Sequence, residues 1–147
     1  LGMDSGYAEL HCDGASSGNP GDAGIGIIID LPSKGKTLQI SEYIGITTNN
    51  VAEYSALVKG LEKAKTLGLK RIKVFLDSEL VVKQINGIYR VKNRKLIPFW
   101  IKARRILESF EDYKIFHVER AKNSEADKLA KGAIKRKKNP KVDYITL

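Results

Sequence analysis

The sequence predicts an α/β domain with the element order βββαβααβα, in which helices flank a mixed sheet of five strands. Three observations carry that expectation. The chain opens with three alternating, β-branched segments joined by short links. Longer segments with apolar residues at helical spacing follow, and short apolar runs of strand length lie among them. At 147 residues the chain suits one domain with a single core, and no internal repeat or interdomain linker is visible.

Strand one is "YAELHCD", and the Gly-, Ser- and Pro-rich "GASSGNPGDAG" after it reads as a turn. "IGIIID" and, past "LPSKGKT", "LQISEYIGI" complete an antiparallel meander. From Asn50 to Leu67 the positions Tyr54, Leu57, Val58, Leu61, Ala64 and Leu67 recur at helical spacing, and Gly68 stops the helix. "IKVFLD" is a short strand of buried type. "SELVVKQING" is a second helix ended by Gly87, and "IPFWIKARRILESF" a third with Pro98 near its start. "YKIFHVER" supplies strand five, and "SEADKLAKGAIKRKK" is a last helix that stops before Pro140. Strands four and five are reached through helices, so they are expected to lie parallel to strand one. The end, "KVDYITL", reads equally as a docked edge strand or a tail. The domain is therefore drawn over 1–147, with 1–5 outside the fold and 140–147 as a C-terminal tail. Leu1 and Gly2 precede the only methionine, Met3, as a cloning remnant would.

Lys and Arg number 26 against 17 Asp and Glu, a net charge of +9. That balance favours anionic partners, nucleic acid first and an acidic membrane surface second. The one cysteine, Cys12, fits a reduced compartment and excludes an internal disulfide or a multi-cysteine zinc site. No apolar run approaches the ~18 residues of a membrane span. A soluble, cytoplasmic monomer is expected.

Four acids occupy comparable places. Asp13 ends strand one, Glu53 lies in the first turn of the first long helix, Asp77 ends strand four, and Asp127 lies in the first turn of the last helix. Each has a structural explanation. Asn50 with Glu53 and Ser124 with Asp127 fit capping-box spacing, and Asp77 is placed to cap the helix after it. Together they point elsewhere, because the ends of parallel strands and the starts of the following helices share one edge of an open α/β sheet. Carboxylates converging there repel one another unless a cation neutralises them. Oxygen ligands without a His or Cys cluster favour Mg²⁺ or Mn²⁺ over zinc. With basic surface around it, such a site suits hydrolysis of a polyanion's phosphate.

At "CDGASSGNPGDAG", "TTNNVAEY", "VFLDSELVVKQING" and "NSEADKLAK", in that order and spacing, the chain resembles type 1 ribonuclease H. The resemblance covers Ala8 to about Ile134. It implies a five-stranded mixed sheet, three strands antiparallel and two parallel, and hydrolysis of the RNA strand of RNA/DNA hybrids to 5′-phosphate and 3′-hydroxyl ends. It places Asp13, Glu53, Asp77 and Asp127 on the family's metal-binding carboxylates, with two divalent ions per site. It also implies substrate contacts from Asn19, Thr48, Asn49 and Asn50, and it draws in Gly14 and Ser16 of the glycine-rich stretch. Amides and hydroxyls suit that task, since they can read a 2′-hydroxyl. "YRVKNRKLIPFW" adds Arg90, Lys92, Asn93, Arg94 and Lys95 with Tyr89, Phe99 and Trp100 interleaved, a composition for backbone contact with some stacking or for a solvated loop beside core aromatics.

The chain departs from the family pattern in three places. Many bacterial relatives carry a histidine in the loop before the last helix. Here that loop is "ERAKNSEA", and Arg120 is the nearest candidate for an electrostatic role. The long basic protrusion is abbreviated to "YRVKNRK", and Glu79 stands where relatives often have a substrate-contacting glutamine. These features are most similar to the archaeal branch, some members of which also act on double-stranded RNA. His11 and His117 lie within strands and are expected to be half-buried and structural. Two other readings stay open at this point: a non-cleaving hybrid or double-stranded RNA binding module of the same fold, and a metal-dependent nuclease for another nucleic-acid structure.

Overall fold

The computed structural model describes residues 6–31, 34–137 and 141–146, so the expectation for residues 1–5 lies outside the described residues. Six strands form one sheet in the order β5-β4-β1-β2-β3-β6. They are β1 (Ala8–Gly18), β2 (Gly21–Leu31), β3 (Lys36–Thr47), β4 (Arg71–Leu76), β5 (Asp112–His117) and β6 (Lys141–Thr146). The helices are α1 (Asn49–Thr66), α2 (Glu79–Ile85), α3 (Ile97–Glu108) and α4 (Ser124–Arg136), and a 3₁₀ turn spans Arg120–Asn123. As expected, β1, β2 and β3 form an antiparallel meander, while β4 pairs parallel to β1 and β5 parallel to β4.

Two elements differ from expectation. The first strand does not stop at Asp13. It pairs with β2 through Gly14↔Ile25 to Gly18↔Gly21, leaving only Asn19 and Pro20 as the turn. Within that stretch Gly14 and Gly24 provide clearance, since a Cβ on either would meet helix backbone at 2.1 and 2.4 Å. The second difference is a sixth strand, since the "tail" pairs antiparallel with β3 from Lys36↔Thr146 to Ser41↔Lys141. Residues 141–145 are exposed throughout, the apolar Val142, Tyr144 and Ile145 included, so this edge strand has no buried face to mark it, which left its fate open in the sequence.

Helices cover both faces of the sheet. Leu10 and Cys12 of β1 point toward α1, where a Cβ on Gly60 would come within 3.0 Å of the Cys12 sulfur. The core on that side gathers Ile25, Ile27, Leu57, Leu61, Val74 and Leu76. Phe99 and Trp100 pack against the same cluster, and the Trp100 indole N–H donates to the Gln84 carbonyl at 3.0 Å. They are therefore core aromatics rather than members of the basic loop. Buried Tyr54 donates its hydroxyl to Gln84 Oε1 at 2.6 Å, which satisfies both polar groups inside the core.

On the opposite face, α4 lies directly on β2. A Cβ on Gly26 would fall 2.0 Å from the Ala126 carbonyl oxygen, closer than atoms can approach. Gly26 is the register partner of Asp13, so the same absence of a side chain that admits α4 also sets the start of that helix over Asp13. Gly26→Ala is expected to cost about 1–3 kcal/mol by forcing α4 off the sheet. Guanidinium unfolding of the two proteins measures it, and an unchanged midpoint would show that α4 is free to shift.

Candidate active site

Strand register supplies the first pair of acids. The parallel ladder between β1 and β4 runs from Ala8↔Ile72 to Cys12↔Leu76, so the next residue on each strand, Asp13 and Asp77, emerges side by side. Helix α1 supplies the third. A Cβ on Gly14 would lie 2.1 Å from the Ala52 carbonyl carbon, so only glycine lets α1 pass this close to β1. Across that contact the Gly14 N–H donates to Glu53 Oε1 at 2.7 Å. Asp13, Glu53 and Asp77 each present an oxygen within 4.8 Å of the others.

None of these acids caps a helix. Thr48 caps α1, its Oγ1 accepting from Val51 N at 3.3 Å, and the helix therefore starts one residue before Asn50. Glu53 lies just past the first turn as a result. Ser78, not Asp77, caps α2 by accepting from Val81 N at 3.3 Å. Asn123 occupies the cap position of α4 without a side-chain bond to it, so the Ser124–Asp127 capping box does not form. The carboxylates are left for another purpose.

That purpose shows in their unmet hydrogen bonds. Glu53 Oε2 and Asp77 Oδ2 are buried with no hydrogen-bond partner, and Asp13 and Glu53 are only 5% and 3% exposed. Buried acceptors without donors are costly, and two such oxygens converging are what a hard cation requires. The acidic residues are able to hold a divalent metal. Asp127, at the start of α4, approaches Asp13 from the other face of the sheet but stands outside the tight group of three, and it pairs with Lys131 Nζ at 2.9 Å.

Electrostatics reflect this crowding. Burial pushes Asp13 up to about 10, helped by its hydrogen bond with Glu53 and by the charges of Glu53 and Asp77. Burial also raises Glu53, to about 7, against the pull of its bond with Asp13 and the Gly14 N–H. Asp127 stays below the ordinary carboxylate range. Partial burial works against that, but the Lys131 ammonium and Asp13 outweigh it. Arg120, at the start of the 3₁₀ turn, is exposed and lowers both Glu53 and Asp127 through its charge.

The remaining candidates spread along the same edge. Asn19 Oδ1 accepts from Asn49 N at 3.0 Å, tying the β1–β2 turn to the start of α1, and Asn49 and Asn50 are exposed. Ser16 is half-buried in the hairpin. Arg90, Lys92, Asn93 and Arg94 form an exposed loop between α2 and α3, in which Asn93 Oδ1 accepts from Lys95 N at 2.8 Å. Glu79 is turned to Lys83, 2.6 Å away, which holds it below its usual range. His117 departs from expectation: it is exposed and lies 3.3 Å from the Asp77 carbonyl oxygen, because β5 ends level with β4. Asn123 and Lys131 were not singled out in the sequence. Buried Asn123 donates from Nδ2 to the Cys12 carbonyl at 2.9 Å and so fixes the start of α4 beside Asp13. Its only sequence signal is an asparagine directly before a helix.

A mixed sheet whose central parallel strands end in a buried carboxylate cluster defines an α/β domain able to hold a divalent cation at that edge. Residues 11–133 match the family described as Reverse transcriptase-like. The chain is 40% identical over 129 residues to a Halobacterium salinarum protein named Ribonuclease HI, covering 88% of this chain and 65% of that protein. Over 126 residues it is 39% identical to the Mycobacterium tuberculosis protein named Bifunctional protein Rv2228c, covering 85% of this chain and 35% of that one. Thus the chain spans less than two thirds of either curated relative. The crystal structure of RNase H1 from Halobacterium salinarum superposes with a TM-score of 0.85 at 39% identity, covering 89% of this chain and 99% of that chain. LC11-RNase H1, in complex with RNA/DNA hybrid, gives a TM-score of 0.82 at 39% identity over the same shares. The chain belongs to the type 1 ribonuclease H family. Among the described residues, no helix is long and apolar enough to cross a membrane.

The raised carboxylates make stability pH-dependent in a stated direction. In metal-free protein the folded state keeps protons on Asp13 and Glu53 that the unfolded chain releases near pH ~4, so stability falls as pH rises from there through about 7 for Glu53 and on to about 10 for Asp13. The melting temperature in chelator is expected to drop by several degrees between pH ~5 and ~8, and ~10 mM Mg²⁺ is expected to recover most of the loss at the higher pH. Under the same metal-free conditions at pH ~8, Glu53→Gln is expected to melt higher than the parent, since it removes a buried charge while its amide oxygen still accepts the Gly14 N–H. Calorimetric scans of both proteins across pH check both statements.

Proposed function

We propose that the chain is an endoribonuclease that hydrolyses the RNA strand of RNA/DNA hybrids, leaving 5′-phosphate and 3′-hydroxyl ends. The observation that carries this reading is the convergence of Asp13, Glu53 and Asp77 with two buried oxygens left unbonded. The relatives named ribonuclease H, and the neighbouring structure in complex with a hybrid, support it. Asp13, Glu53, Asp77 and Asp127 hold Mg²⁺ or Mn²⁺ in this reading. When bound, two such ions supply an activated water and offset the charge of the phosphate under attack.

The chain's own residues perform the rest. Gly14 contributes through its N–H, which fixes one oxygen of Glu53 and leaves the other free. Lys131 keeps Asp127 ionised. Thr48 Oγ1 and Asn19 Oδ1 are occupied as acceptors by backbone N–H groups, so the Thr48 hydroxyl proton and the Asn19 amide protons remain to donate to phosphate. The exposed Asn49 and Asn50 amides suit a 2′-hydroxyl in the minor groove. Ser16 adds a further hydroxyl on this edge, and the 90–94 loop adds Arg90, Lys92, Asn93 and Arg94 for backbone contact. Glu79, held by Lys83, is poorly placed to contribute. Arg120 provides a positive field where phosphate charge would build up. The enzyme acts as a cytoplasmic monomer on this reading, and double-stranded RNA is a second substrate class for the same edge.

An end-labelled RNA strand, annealed to DNA, annealed to RNA or single, tests the proposal with Mg²⁺, Mn²⁺ or chelator. Cutting of the hybrid only with metal is expected. Hybrid binding without cutting in any lane would instead make the chain a binding module. Asp77→Asn is expected to slow cleavage by about 100-fold or more while hybrid binding persists. For Arg120→Ala the expected loss is about 10-fold in rate with little change in binding, and an unaltered rate would remove Arg120 from the mechanism.

A further inference from the structure

A second cluster of ligating side chains lies farther back along β1 and β2, on the face that carries Asp13. Glu9 and Asp30 are direct cross-strand partners. Two carboxylates placed opposite each other in an antiparallel ladder destabilise it unless a positive charge lies between them. His11 stands two residues along β1, on the same side as Glu9. Its Nε2 is 3.3 Å from Glu9 Oε1 and 3.9 Å from Asp30 Oδ2, and one donor atom from each residue falls within 4.8 Å of the others. Among the described residues, no lysine or arginine forms an ion pair with Glu9 or Asp30.

The surroundings hold these three groups in place. Thr37, buried and next in the same cross-strand row, donates from Oγ1 to Asp30 Oδ1 at 2.9 Å, which leaves Oδ2 turned to His11. The imidazole is stacked on Phe75, with ring centroids 4.7 Å apart and 12° between planes, and Phe75 is stacked in turn on Phe116. An outer hydrogen bond on a carboxylate and a packed imidazole are the usual supports of a metal ligand set. Alternatives fit less well. Phe75, between His11 and Phe116, has both flat sides taken up and offers a nucleobase nothing to stack on.

We propose that Glu9, His11 and Asp30 form a second cation site, selective for a borderline transition ion such as Zn²⁺ over Mg²⁺. One imidazole nitrogen with two carboxylates suits Zn²⁺, which accepts three protein ligands and a water, whereas the all-oxygen set at Asp13, Glu53 and Asp77 suits a hard ion. The two sites share one strand and no ligand. A bound ion would clamp β1 to β2 behind Asp13 and relieve the Glu9–Asp30 repulsion. The site does not depend on the chain being a nuclease.

Calorimetric titration of Zn²⁺ into the Asp77→Asn protein, with Mg²⁺ in excess, separates this site from the acid cluster. One equivalent is expected to bind. His11→Phe keeps a ring against Phe75 but removes the nitrogen, and both it and Asp30→Asn are expected to weaken that binding by at least about 10-fold. Thr37→Val is expected to weaken it by about 10-fold through Asp30. Co²⁺ absorption in the visible range, present in the parent and lost in His11→Phe, is the spectroscopic counterpart. Full Zn²⁺ affinity and stoichiometry in His11→Phe would overturn the site. Failure of the Asp77→Asn protein to bind Zn²⁺ would do so as well, leaving a plain histidine–carboxylate contact. Hybrid cleavage in Mg²⁺ by His11→Phe, in the background with Asp77 intact, is expected at the parent rate.

Discussion

Mutual repulsion among buried carboxylates is the constraint around which this structure is arranged. Asp13 and Asp77 are neighbours because two parallel strands end level, and Glu53 reaches them because a helix crosses one strand at glycine distance. A fold stabilised by roughly 5–15 kcal/mol in all cannot ignore an unneutralised cluster of this kind. The rest of the architecture holds the acids in spite of it. Gly14 and Gly26 bring helices onto opposite faces of the sheet, Asn123 ties the start of α4 to the Cys12 carbonyl, and the Gly14 N–H secures one oxygen of Glu53. Every one of these contacts acts on position and none supplies a positive charge.

Charge is distributed to match. The chain as a whole carries +9, yet its acids converge on one strand edge while Arg90, Lys92, Arg94 and Arg120 are exposed. Surface charge of this sign favours polyanions, whereas the point where Asp13, Glu53 and Asp77 meet favours cations. The two roles need opposite local potentials, and the fold separates them by burying one and exposing the other.

Much of this was legible in the sequence, and the misses have physical causes. Helical spacing from Tyr54 to Ala64 located α1 because that face is fully buried, and Gly68 and Gly87 marked helix ends by adopting positive φ. The length of β1 was missed because glycine, alanine and serine were read as turn formers, whereas Gly14 is small to let a helix pass. Spacing alone left capping open as a structural explanation for Glu53, Asp77 and Asp127. Thr48 and Ser78 do that work, a distinction that depends on one residue of helix register. His117 was expected to be half-buried because strands usually are, but β5 lies at the sheet edge. The cross-strand pairing of Glu9 with Asp30 is 21 residues apart in sequence and becomes visible only once the hairpin register is known.

The bond from Asn49 N to Asn19 Oδ1 joins a hairpin tip to a helix start 30 residues away. It satisfies one of the N–H groups that a helix leaves unpaired at its first turn, and Thr48 satisfies another. Two surface segments that would otherwise fluctuate independently are thereby coupled into a single rigid rim. The entropy of aligning their side chains is lost when the protein folds, so a ligand that spans both segments meets them already aligned.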